Sequence, residues 1–211
     1  HHNLHSYYPT ARLIVVMRNP VRRAVSAVNH LIRTGRCSPL HSIDELLIGN
    51  KRHLIEPHGV IQKGRYYQQI QSYLELFPRN QFLFLLFEED VVKTPHETLA
   101  QACRFLGIDP GFNFGTVNQA INEFNRSMAG LAVTYYFKKA EPLGRFLDRH
   151  LPQEKKKPNF ETLARLHELY AEENEQLFKL IGRRSEAWAA PERPVRVRRP
   201  TPVSTAKPRL W

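Results

Sequence analysis

Between residues 18 and 30 the chain carries Arg18, Arg22, Arg23, Ser26 and His30, a set suited to capturing a phosphate-like anion. A guanidinium fork can grip phosphate through two parallel N–H bonds. A hydroxyl about two helical turns further on can donate to the same group, provided strand, turn and helix put both on one side. The order Arg18-Asn19-Pro20 supplies that punctuation. It ends an apolar run, Asn19 is a good N-cap, and Pro20 suits a first helical position. His30 lies one turn beyond Ser26 on the same face and would border the same site. The same letters also make an ordinary strand-to-helix turn followed by a solvated basic face. Residue types alone leave both readings open.

The elements that must position these groups follow from periodicity. Ala11 to Met17 is a short apolar run rich in β-branched residues, which predicts a strand buried on both faces. Behind it, Val21, Ala24, Val25, Val28, Leu31 and Ile32 recur at helical spacing as a core stripe. Arg22, Arg23, Ser26, Asn29, His30 and Arg33 fall on the opposite, polar face. A short helix is predicted at Ile43–Ile48 and a clear one from Tyr66 to Leu76. Gln81–Phe87 reads as a second fully buried strand. Thr94-Pro95-His96-Glu97 has the form of a capping box, opening a helix that packs Leu99, Ala102, Cys103 and Leu106 and ends at Gly107. Residues 109 to 130 read as loop around a short helix at Val117–Phe124, followed by a helix near Leu143–His150. Phe160–Ile181 is a long amphipathic helix stopped by Gly182. After Trp188 the Pro- and Arg-rich composition predicts a disordered tail, giving a domain over 1–188 and a tail over 189–211. Strand, helix, strand, helix describes an α/β domain with a parallel sheet, whose ligands bind beyond the C-terminal strand ends. Arg18 stands at such an end.

Bulk properties bound the possibilities. The chain has 211 residues and a formal net charge of +11, which favours anionic partners such as nucleic acid, acidic membranes, phosphorylated cofactors or acidic sugars. Part of that charge is local, since Pro191–Trp211 holds five Arg and one Lys against Glu192. No apolar run approaches the length of a membrane span, and two cysteines make no disulfide framework. Cys103 reads as a buried core residue. The histidines lack metal-ligand spacing, and no metal is expected.

The stretch around Arg18 resembles the 3′-phosphate motif of sulfotransferases that use 3′-phosphoadenosine 5′-phosphosulfate (PAPS), in the heparan-sulfate-type and bacterial sulfotransferase-domain branch. The likeness rests on a buried strand ending in Arg18-Asn19-Pro20, an Arg three residues after the Pro, and Ser26 three further on. It continues in Gly64-Arg65-Tyr66, in Leu85 to Pro95 with Glu89-Asp90-Val91 at its centre, and in Phe105-Leu106-Gly107-Ile108. The closing helix, with Leu169-Tyr170, Asn174, Leu177 and Gly182, adds to it. The resemblance implies a P-loop-NTPase-like parallel sheet flanked by helices. It also implies sulfuryl transfer from PAPS to a hydroxyl or amine, possible saccharides included, with adenosine 3′,5′-bisphosphate left behind. Arg18 and Ser26 would bind the 3′-phosphate. Asn125, Arg126 and Ser127 would belong to a loop that folds over the cofactor. His30 would be an auxiliary near the transferred group, with a phosphate-facing or solvated His as the alternative. Tyr66 would line the acceptor cleft or serve as a core aromatic, the latter being the preferred reading.

Two family features are missing from the sequence. The Gly-x-x-Lys-x-Gly-Thr-type loop for the 5′-phosphosulfate does not precede Arg18, nor does the Glu that the heparan-sulfate branch uses as base. The expectation is therefore a sheet incomplete on its N-terminal side, in a fragment or a degenerate protein that is poorly soluble and transfers no sulfate by itself. Rival readings are a non-catalytic anion- or polyanion-binding module of the same fold and a P-loop-type nucleotide kinase relative. No specific nucleic-acid partner is expected. The compartment is read as cytoplasmic, or as the Golgi lumen for a eukaryotic parent with an N-terminal anchor.

Overall fold

A computed structural model describes residues 1–115 and 125–192. Two five-residue strands form its sheet, β1 (Leu13–Met17) and β2 (Phe82–Leu86). They run parallel in the register Leu13↔Phe82 through Met17↔Leu86, so Arg18 and the Phe87-Glu88 pair emerge side by side at the same sheet edge. β2 is buried along its whole length, as its unbroken apolar run predicts. β1 differs from expectation. It alternates, with Ile14 38% and Val16 50% exposed while Met17 is fully buried. Its inner residues pack on the core below the sheet; on the other face Leu83 and Leu85 of β2 are buried while Ile14 and Val16 of β1 stay partly open.

Among the described residues, eight α-helices accompany the strands: α1 (His2–Tyr7), α2 (Pro20–Arg33), α3 (Ile43–Leu47), α4 (Tyr66–Leu74), α5 (Pro95–Leu106), α6 (Met128–Tyr136), α7 (Glu141–His150) and α8 (Phe160–Ile181). α2 starts as its letters demand, with Asn19 Oδ1 accepting from the backbone N–H groups of Val21 (3.0 Å) and Arg22 (3.1 Å) and Pro20 next in line. Its stripe of Val21, Ala24, Val28, Leu31 and Ile32 packs with α3 and with Leu166 and Tyr170 of α8. The second half of α8 joins a separate cluster, in which Leu177 and Phe178 meet Met17, Phe77, Phe84 and Trp188. One long helix thus ties the floor of α2 to the sheet. Gly182, at φ +74°, turns the chain out of α8 in a left-handed conformation open to glycine.

Three local readings are corrected. Asn29, assigned to the polar face of α2, is 2% exposed because it clasps a distant loop. Thr94 makes no capping bond to α5; its hydroxyl instead donates to the carbonyl of Asp90 at 3.2 Å. That diversion follows from the preceding π-helical turn, Phe87–Lys93, whose last carbonyls lie within reach. Leu106 is 42% exposed, since α5 turns only Thr98 and Cys103 fully inward. α1 and α6 were not anticipated from sequence. α6 pairs with α7 as a hairpin, and a Cβ at Gly130 would collide with Asp148 Oδ1, so glycine permits the close approach. The expected helix at Val117–Phe124 and the tail from residue 193 onward lie outside the described residues.

Candidate anion-binding site

The parallel register brings a carboxylate from the segment just after β2 under the turn that follows β1. Glu88 is 8% exposed and lends both oxygens to the backbone N–H of Asn19, each at 3.1 Å. Its Oε2 also accepts from Trp188 Nε1 at 3.0 Å. The side-chain amide of Asn19 donates to the carbonyl of Ala187 at 2.9 Å, and Tyr66 Oη donates to the carbonyl of Arg18 at 2.9 Å. The backbone of the Arg-Asn-Pro turn is thereby pinned from three directions. Tyr66 acts here as a half-buried structural aromatic; burial pushes its hydroxyl pKa up. Further along, Asp90 accepts from the backbone N–H of Leu86 at 2.6 Å and pairs with Arg183, while Ser185 donates to Glu89 at 2.6 Å. These contacts fasten the segment after α8 against the strand ends. The hydrogen bonds of Lys93 and Ser185 hold the Glu89 carboxyl below its usual range.

Arg18 itself is held differently from its backbone. Its guanidinium lies over the Phe87 ring, 5.4 Å from the centroid. The nearest carboxylate oxygen is Glu88 Oε1, 3.8 Å from Nε, too long for a hydrogen bond, and Nε is buried without a partner. Glu88 spends its acceptor capacity on Asn19 and Trp188. The result is an Arg near a carboxylate but not consumed by it, with its side chain 39% exposed.

Two cavities meet at Arg18 and Ser26. The first, about 480 Å³, runs between the start of α2 and the loop before α8, where Arg22, Lys155, Lys156 and Lys157 line it and, among the described residues, no carboxylate does. Asn29 builds this wall. Its Oδ1 accepts from Lys156 N at 2.8 Å and its Nδ2 donates to Lys156 O at 3.0 Å. Lys156 then turns its ammonium away, donating to the carbonyl of His41 at 2.5 Å, and burial lowers its pKa. Lys155 and Lys157 stay exposed. On the same wall, His167 of α8 is half-buried, and burial together with Arg22 lowers its pKa. The second cavity, about 540 Å³, opens on the other side of α2 and includes His30. Arg33 Nη2 lies 3.1 Å from His30 Nδ1. Since guanidinium only donates, Nδ1 is the acceptor and the neutral ring carries its proton on Nε2.

Arg18, Ser26 and His30 are therefore brought together. Asn125, Arg126 and Ser127 are not. Asn125 is exposed. Arg126 pairs with Asp148 and donates to Thr134 Oγ1 at 3.1 Å. Ser127 is 1% exposed, gives its N–H and hydroxyl to Asp148 Oδ1 at 2.8 and 3.1 Å, and caps α6 by accepting from Gly130 N at 2.9 Å. None of the three lines either cavity. Sequence reasoning missed Glu88, Asn29 and the Lys155–Lys157 run; the last had a readable signal in three consecutive cations next to the start of a long helix.

Residues 1–128 match the model of the sulfotransferase domain family. The chain belongs to that family. Over 109 residues it is 31% identical to heparan sulfate glucosamine 3-O-sulfotransferase 6 of mouse and of human, a stretch covering 50% of this chain and 30% of each relative. The chain thus spans under a third of the curated relatives' length. Its fold is similar to the crystal structure of a sulfotransferase from Alicyclobacillus acidocaldarius, with a TM-score of 0.61 and 24% identity over 89% of this chain and 61% of that one. In this sulfotransferase domain, Arg18, Ser26 and His30 fall inside the family match, and Lys155–Lys157 fall beyond it. Sulfuryl transfer is the chemistry of the family, and an α/β core with parallel strands flanked by helices is common to this chain and its structural neighbour.

Proposed function

We propose that the chain is the part of a PAPS-dependent sulfotransferase that binds the 3′-phosphate of the cofactor, in a P-loop-like fold, for transfer to a hydroxyl or amine acceptor. The observation that carries this reading is the pinned Arg18: its backbone is fixed, its Nε is buried without a hydrogen-bond partner, and no carboxylate among the described residues lines the cavities beside it. These residues suit a phosphate dianion. Arg18 would bind it through charge-assisted bonds, Ser26 would donate a hydroxyl, and Lys155 and Lys157 would add positive potential from the opposite wall. Asn29 positions that wall. PAPS supplies the activated sulfuryl group when bound. His30, with its proton on Nε2, suits holding an anionic oxygen better than deprotonating an acceptor.

The free edge of β1 supports a further strand in the complete sheet, the place of the strand that leads into the family's 5′-phosphosulfate loop. A recess of about 450 Å³ follows that edge, lined by Leu4, Leu13, Val15, Tyr66, Ile70 and Tyr73. Exposed apolar strand edges are an aggregation liability that complete folds cover. The acceptors proposed are hydroxyl-bearing, saccharides first, in keeping with the relatives' printed activity. Titration of the full chain with adenosine 3′,5′-bisphosphate and, separately, with a random oligonucleotide tests the reading. Saturable bisphosphate binding that the oligonucleotide does not displace is expected; preference for the oligonucleotide would favour a polyanion-binding module.

A further inference from the structure

α7 turns its apolar residues the opposite way from a helix that packs on a core. Its inner side is small and polar: Gly144 and Asp148 are buried, and a Cβ at Gly144 would press on Thr134 of α6. Leu143 and Phe146, one helical turn apart on the outer side, are 52% and 55% exposed. A helix on a globular core ordinarily buries such a stripe. The connection before α7 has the same character. The Tyr136 hydroxyl meets Ser38 Oγ at 2.7 Å, and Phe137 is 67% exposed. Both rings line one recess of about 630 Å³ together with Lys138 and Lys139, and no carboxylate among the described residues joins them.

The acids of this hairpin are already engaged. Glu141 pairs with Arg145 at 2.6 Å, and Asp148 pairs with Arg126. Lys138, Lys139 and Arg149 are exposed and have no carboxylate partner among the described residues. Apolar side chains beside unneutralised cations suit a lipid surface, where rings and aliphatic groups enter the acyl boundary and cations meet anionic headgroups. Single-stranded nucleic acid would use the rings and the cations but would leave Leu143 with nothing to bury it. A second copy in a two-fold contact would set Lys138 and Lys139 against their own counterparts. No described helix is long and apolar enough to cross a membrane, so the contact would lie along the surface. We propose that residues 136–140 and the outer face of α7 dock this protein on an anionic lipid surface. These residues lie beyond the stretch matched to the family, and the inference does not depend on the cofactor assignment.

Co-sedimentation of the full chain with vesicles of phosphatidylcholine, alone or mixed with phosphatidylserine, tests it. Binding to the mixed vesicles is expected, weakening as salt rises. Lys138→Ala/Lys139→Ala should lower that binding about thirtyfold, as the loss of two cations at a lipid surface implies. Phe137→Ser/Phe146→Ser should lower it about tenfold or more. All four side chains are exposed, so melting temperature and bisphosphate affinity should hold in both variants. Arg18→Ala/Lys155→Ala removes the same charge elsewhere and should change vesicle binding by no more than about threefold. Vesicle binding that survives in both hairpin variants, or that falls equally in this charge-matched variant, would overturn the proposal. Failure to bind the mixed vesicles would overturn it too. A dimer in sedimentation velocity that Phe137→Ser/Phe146→Ser abolishes would then mark a second copy as the occupant, and an oligonucleotide bound through Lys138 and Lys139 would mark nucleic acid.

Discussion

The chain contains two Arg and Ser groupings close to a helix start, and the structure treats them oppositely. Arg18 and Ser26 flank the opening turns of α2; Arg126 and Ser127 stand just before α6. Sequence reasoning assigned both to one cofactor. Each also has an acid nearby from a distant element, Glu88 in the first case and Asp148 in the second. Asp148 faces its basic and hydroxyl partners directly, so Arg126, Ser127 N and Ser127 Oγ are all satisfied internally. Glu88 faces the backbone of Asn19 and the indole of Trp188, and Arg18 is left with capacity to spare. The fold gives Arg126 and Ser127 an acid of their own, whereas Arg18 has only Glu88, at 3.8 Å and already bonded elsewhere. The recess between α8 and residues 184–191 makes the same point from the other side: Glu168, Glu175 and Glu186 line it beside Arg184, whose guanidinium is taken by Glu175.

This contrast can be broken at its strongest point first. Asp148→Ala should strip Arg126 and Ser127 of their partner and leave a poorly solvated cation at the α6–α7 contact. Breaking such a pair costs about 3 kcal/mol or more, and for a chain of this size roughly 6–12 °C in melting temperature by calorimetry. Bisphosphate affinity should be nearly unchanged. A stable variant that binds bisphosphate poorly would mean that the hairpin, and not Arg18, makes the site.

Arg18→Ala should do the reverse. Loss of one charge-assisted contact of about 1.5–3 kcal/mol weakens bisphosphate binding roughly ten- to a hundredfold. The melting temperature should hold, because the turn is pinned through its backbone. Ser26→Ala, which removes a neutral donor, should cost less than Arg18→Ala. Wild-type affinity in both variants would end the assignment.

The smallest expected effect is a pH dependence. The pKa of His167 lies below the ordinary 6.5 through burial and the Arg22 charge. The unfolded chain then binds more protons at this residue than the folded one once pH drops below that value. The stability linked to His167 is therefore fully present above pH 6.5 and is lost as pH falls toward its lowered folded value. Chemical denaturation at pH 7.5 and 5.5 should show a smaller loss for His167→Gln than for the unmodified chain. An equal loss would show that the ring meets no such penalty.

Much of this was written in the local sequence. The apolar run to Met17, the Asn19-Pro20 start of α2, the long amphipathic span of α8 and its Gly182 stop are short-range signals, and each became the element its letters specify. Arg18 at a strand end and Ser26 on the following helix were legible for the same reason, since one strand, one turn and two helical turns fix their relation. Tertiary structure decided what no spacing could. The exposed face of β1 depends on which elements cover the sheet, not on the residues of the strand. Asn29 looks like a surface residue until Lys156, far along the chain, closes on it. Which Arg is fully engaged and which keeps donors to spare was settled by the placement of Glu88 and Asp148, because an ion pair depends on distance in space, and the partners here lie tens of residues apart in sequence.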